Sequence, residues 1–100
     1  MTPDQIFRAL GDPVRLQIVD LLVDRDGQAL FELCTRLMSA GTSITRQGVA
    51  KHLVVLVDAE LIRVEREGRI SRHYLQNATL ADARDRLVSL TTTPTIKEQP

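Results

Sequence analysis

Cys34 is the one cysteine in this chain of 100 residues. No disulfide can form within the chain, and no Cys-x-x-Cys pair is present for zinc or thiol chemistry. A long apolar run is also missing. The opening stretch "MTPDQIFRAL" carries Pro3 and Asp4 where a leader would be apolar, so neither a signal peptide nor a spanning helix is expected, and the expected location is cytoplasmic. Catalytic groupings are absent too: there is no Ser/His/Asp or Cys/His spacing, no phosphate-cradling glycine loop and no evident pair of carboxylates. An enzyme is therefore not expected. Net charge is zero as well, which on its face speaks against a nucleic-acid partner.

The distribution of charge reverses that last inference. Residues 1 to 40 hold four Arg and six Asp/Glu, whereas residues 41 to 75 hold six Lys/Arg against four Asp/Glu and both histidines. A locally basic third can face DNA without a basic total. The length suits one compact domain with a modest core. The expected organisation is one domain over residues 1–90 and a flexible tail over 91–100, because "TTTPTIKEQP" has little to bury. No internal repeat is present.

Periodicity places the elements. "PDQIFRAL" reads as a short helix with Ile6, Phe7 and Leu10 on one side, and "DPVRLQIVDLLVDRDG" as a second, capped by Asp12 with Pro13 at its first position and Gly27 after its frayed end. In "ALFELCTRLMSAG", Leu30, Leu33, Cys34 and Leu37 fall at i, i+3, i+4 and i+7. After a turn at Gly41 comes "TRQGVAKHL". Thr45 caps a helix reaching about Ala59, with Val49, Leu53, Leu56 and Val57 as its buried stripe and Gln47, Gly48 and Lys51 outward. "LIRVER" and "ISRHYL" flank "EG", a hairpin signal with Gly68 available for positive φ. "LADARDRLVSL" closes the pattern with Leu80, Ala83, Leu87 and Leu90 on one face.

Helix, helix, helix, turn, helix, hairpin, helix is the order of a winged helix-turn-helix, mainly α with a two-stranded wing. The acid-free helix then has a chemical use. Arg46 and Lys51 can read guanine and Gln47 adenine, Thr45 suits phosphate, and His52 suits either phosphate or a structural role. On the wing, Arg66, Arg69 and Arg72 can meet phosphate or the minor groove. The competing reading of these side chains is a solvated surface, and of the module a winged helix used only for protein contacts.

The blocks "IFRALGDPVRLQIVDLL", "FELCTRL" and "ITRQGVAKHLVVLVDAELIRVEREGR", followed by "HYL", resemble the ArsR/SmtB-type winged-helix transcriptional repressors of bacteria. That resemblance implies a homodimer formed by the first and last helices, here around Ile6, Phe7, Leu10, Leu80, Ala83, Leu87 and Leu90. It also implies double-stranded DNA as partner, an inverted-repeat operator and repression of nearby genes.

Departures from the family pattern bear on control. Arg36 stands where the family's Cys-x-Cys metal site has its second thiolate, and "LADARDRLVSL" lacks the histidine of the site on the last helix. No cofactor is expected. A metal site shared between chains, built from His52, His73 and aspartates, is the one metal arrangement left open, and an unidentified effector or partner protein is the other route to control. Cys34 lies on an apolar stripe and reads as core. "MSAGTSI" lengthens the connection before the recognition helix. Gly48 is unfavourable inside a helix, with close approach of the backbone to DNA and simple drift as the two open readings, and Glu60 replaces the glycine that commonly ends that helix, which predicts a strained or altered helix end.

Overall fold

A computed structural model of the chain describes residues 3–97, with side chains from Asp4 to Thr91. Five helices and three strands follow one another: α1 (Pro3–Leu10), α2 (Pro13–Asp24), β1 (Gln28–Ala29), α3 (Leu30–Ser39), α4 (Arg46–Asp58), β2 (Ile62–Glu67), β3 (Ile70–Leu75) and α5 (Asn77–Lys97). The expected winged helix-turn-helix is observed.

The caps form as their chemistry dictates. Asp12 Oδ2 accepts from the N–H groups of Val14 and Arg15 at 2.9 and 3.1 Å, with Pro13 at the first helical position, where no N–H is needed. Thr45 Oγ1 accepts from Gly48 N–H at 3.0 Å and starts α4. At α3, Glu32 reaches back to the N–H of Ala29 at 2.9 Å, forming half of a capping box. The methyl of Ala29 cannot return the other bond.

Two helices end alike on unlike residues. After α3, Gly41 takes φ +84°, and the N–H groups of Gly41 and Thr42 donate to the carbonyls of Met38 and Leu37. After α4, Glu60 takes φ +58°, and the N–H groups of Glu60 and Leu61 donate to the carbonyls of Val57 and Leu56. Both are Schellman ends. Glycine adopts this conformation freely, whereas glutamate does so against its Cβ.

The core gathers Ile18 and Leu22 of α2, Leu33 and Leu37 of α3, Val49, Leu53 and Leu56 of α4, and Leu61 and Ile62 at the foot of the wing. Val57, expected in the buried stripe, is exposed instead. Cys34 is half-buried and packs against this core.

Two features differ from expectation. The sheet has a third strand: two-residue β1 pairs antiparallel with β3, Gln28 opposite His73 and Ala29 opposite Arg72, giving the order β1-β3-β2. Second, α5 does not end near Leu90 but continues to Lys97, so the tail expected from residue 91 begins as helix; residues 98–100 lie outside the described residues. The lengthened connection extends both helix and loop, with Met38 and Ser39 completing α3 and residues 40–45 forming the turn.

Candidate nucleic-acid interface

The hairpin turns on Gly68 and Arg69, between the paired residues Glu67 and Ile70. Gly68 has φ +65°, and Glu60 is the sole non-glycine residue with positive φ among those described, so the first central residue alone is left-handed, as in a type II′ turn. Arg69 is thereby carried at the wing tip. Arg46 opens α4, and the two arginines border a common cavity of about 260 Å³.

Arg46, Gln47 and Lys51 are exposed, and among the described residues no hydrogen bond or ion pair engages their side chains. Thr45 is exposed beside them, its oxygen accepting the cap bond while its hydroxyl proton stays available to donate. These four residues form one surface at the start of the recognition helix.

His52 departs from that surface. It is half-buried, with Nδ1 3.1 Å from Arg15 Nη1 and 3.8 Å from Asp12 Oδ2. A guanidinium can only donate, so at the shorter distance Nδ1 is the acceptor, and the ring proton belongs on Nε2. Arg15 also donates to the carbonyls of Ala9 at 2.6 Å and Arg8 at 3.3 Å. The arginine therefore clamps the α1–α2 corner to α4, and His52 positions the helix from behind. The Asp12 carboxyl is held below its ordinary value, chiefly by the bond from the Arg15 N–H. Burial works against this, and the nearby Arg15 guanidinium and the Val14 N–H add to the lowering.

The wing arginines also separate. Arg66 is exposed and reaches no farther than the Gly68 carbonyl at 3.5 Å. Arg72 points back to the body: Nη1 donates to the Gly27 carbonyl at 3.1 Å and to Glu32 Oε1 at 3.4 Å, and Nε to Glu67 Oε1 at 3.2 Å. Four neighbours occupy Arg66 and Arg72 between them, and only Arg69 is left unengaged. Arg63, not singled out in the sequence, pairs with Glu65 at 2.7 Å and lies 4.7 Å over the Tyr74 ring.

His73 is buried, and its Nδ1–H donates to the Gln28 carbonyl at 2.9 Å, fixing β1 to the sheet. Among the described residues no group of three or more His, Cys, Asp or Glu side chains is close enough to hold a metal ion. Arg36, at the missing thiolate's place, pairs with Asp24 at 2.7 Å.

Gly48 has a local reason. A Cβ there would lie 2.9 Å from Ile44 Cγ1 and 3.3 Å from Thr45 Oγ1, so the glycine makes room for the residue preceding the cap and for the cap itself. It is half-buried rather than outward.

The seven residues expected at a dimer interface divide as well. Ile6 and Ala83 are buried where α1 packs on α5, with Phe7, Leu10 and Leu80 half-buried against the same core. They serve the single chain first. Leu87 and Leu90 remain 51% and 49% exposed. Within the described residues, no helix is long and apolar enough to cross a membrane.

A helix-turn-helix domain family matches residues 10–65. The HTH-type transcriptional regulator YuzN of Bacillus subtilis (strain 168) is 49% identical over 67 residues, covering 66% of this chain and 73% of that protein. The transcriptional repressor SdpR of the same organism is 29% identical over 85 residues, covering 80% and 82%. Among solved structures, an ArsR-like transcriptional regulator from Rhodococcus sp. RHA1 superposes with a TM-score of 0.77 at 28% identity, covering 95% of this chain and 84% of that one.

Proposed function

The chain belongs to the ArsR-type winged helix-turn-helix transcriptional regulators, and from that premise we propose that it is a repressor binding an inverted-repeat operator as a homodimer. The observation carrying this reading is the exposed set Arg46, Gln47 and Lys51 at the capped start of α4, with unengaged Arg69 on the wing beside it. Long donors at the N-terminal end of a recognition helix reach base edges in the major groove, and a wing cation meets the adjoining phosphate. Thr45 adds a phosphate donor.

Repression is supported by the kinship with SdpR, which is named a repressor. Dimerisation is supported by Leu87 and Leu90, two large apolar side chains that α5 holds in water. A two-fold dimer would place half-site centres about 34 Å apart, one turn of DNA.

Selection of genomic fragments by the purified protein, with divalent metals and with a chelator as parallel conditions, tests the reading and its metal dependence together. One enriched palindromic site is expected. Affinity should fall with salt at a log–log slope of about 0.9 per phosphate contact. Lys51→Ala and Gln47→Ala should each weaken binding by about 1–3 kcal/mol at their own positions. Unchanged affinity and preference in both variants would remove these residues from the reading face.

A further inference from the structure

Two cavities beside the recognition helix share part of their lining. The first, about 280 Å³, lies between α4 and the inner face of the sheet, with buried Leu53 at its floor and exposed Val54, Val57 and Val64 along it. The second is the cavity of about 260 Å³ bordered by Arg46 and Arg69. Leu30 and Ser71 border both. Joined across that shared border, the two would make one groove, apolar at one end and doubly cationic at the other.

We propose that this groove binds an organic acid with an extended apolar body, a medium-chain carboxylate, as an effector. Charge and shape both select that class. Three valines left in water at the mouth of an apolar cavity gain from covering by hydrocarbon. An apolar cavity of about 150 Å³ accommodates one benzene ring, so the inner cavity has room for roughly ten carbons. At the other end the Arg46 and Arg69 guanidiniums present planar pairs of N–H donors that match a carboxylate's two oxygens, and no acidic partner among the described residues competes for them. The Ser71 hydroxyl stands at the junction and can donate a further bond. His73, fixed by its bond to Gln28, gives that wall a constant position.

The consequence for control rests on the DNA reading above: an acid held by Arg46 and Arg69 occupies the cations proposed to meet phosphate, so ligand and operator exclude one another. The ligand site itself is independent of that reading.

The test is titration of the full chain with decanoate, below its aggregation concentration, followed by methyl and amide NMR shifts and compared with decanol. Decanoate should saturate a site whose shifts centre on Val54, Val57 and Val64 and should bind more tightly than decanol. Arg46→Ala with Arg69→Ala should weaken decanoate about tenfold or more while leaving decanol unchanged. Val54→Lys, at an exposed position that tolerates the change in the fold, should weaken both. Equal binding of decanoate and decanol, decanoate binding indifferent to the arginines, shifts centred on Leu87 and Leu90, or no saturable binding would each overturn the proposal. A selected operator fragment then reports competition. Failure of fragment selection removes the competition alone, since the titration contains no DNA.

Discussion

Arg15 Nη1 donates to His52 Nδ1 at 3.1 Å across a sequence separation of 37. Through that bond the second helix holds the recognition helix, and the same guanidinium grips the end of α1 through the carbonyls of Ala9 and Arg8. Arg15→Met should lower the unfolding free energy by about 1.5–3 kcal/mol, the range for a hydrogen-bonded charged donor. Arg15→Lys should not restore it, since an ammonium cannot reproduce the fork. Urea denaturation of the three proteins decides; a methionine variant as stable as the parent would show that the clamp is dispensable.

Asp12 gives the fold an acid-sensitive point. Its folded carboxyl titrates below the ordinary carboxylate value, so its charged form contributes stability at neutral pH. That contribution is lost as pH falls through the lowered folded value. Urea midpoints measured from neutral pH down to about pH 3, below the ordinary Asp range, should drop in the parent and drop less in Asp12→Asn. The asparagine keeps a capping oxygen without a titrating charge.

Glu60 and Gly41 occupy equivalent places after their helices. Glu60→Gly should raise stability by about 1 kcal/mol, and Gly41→Ala should lower it by about 1–2 kcal/mol, both from the left-handed backbone. A shift of the denaturation midpoint in the wrong direction for either variant would contradict the Schellman reading of that helix end.

At Gly48, helix propensity and packing oppose each other. Alanine in an open helix site gains about 1 kcal/mol over glycine. Here the Cβ meets Ile44 Cγ1, so Gly48→Ala should show no gain in the parent but should recover it in an Ile44→Ala background. A double-mutant cycle measures the coupling, and strict additivity would refute the clash.

The two kinds of wing arginine should behave differently. Arg69→Ala should leave stability within about 0.5 kcal/mol and reduce the salt slope of DNA binding by about one. Arg72→Ala should lower stability by at least about 1 kcal/mol, because its bonds to Gly27 and Glu32 are lost and the Gly27 carbonyl loses a charged donor. Thermal unfolding and salt-dependent affinity, measured on both variants, separate the cases.

What could be read from the sequence was local. Asp12, Thr45 and Gly68 act within three residues of themselves, so their spacing alone forecast two caps and a turn. At Glu60 the family-like pattern pointed to an unusual helix end; the geometry there is an ordinary Schellman end, and only the residue that adopts it is unusual. Strand β1 was not legible: two residues, one of them Gln28, carry no alternation, and their pairing is chosen by His73, 45 positions away. Distance in the chain likewise hid the engagement of Arg72 with Gly27 and of His52 with Arg15. Arg15 lies within the family-like "GDPVRLQIV" block, yet composition gives no sign that its partner is a histidine on the recognition helix. The reason for Gly48 was not legible, because a pattern of residue types does not show that the side chain of Ile44 lies against it.

The root of the wing is stitched in several places: Gly27 N–H to the His73 carbonyl at 2.9 Å, Leu75 N–H to Asp26 Oδ1 at 3.0 Å, and Arg72 to Gly27 and Glu32. A hairpin anchored in this way has little freedom left to lose when it meets a partner. Its ordering entropy is spent during folding, so the encounter proceeds near docking of two rigid shapes, and adjustment falls to the nucleic acid, whose deformability then becomes part of what is recognised.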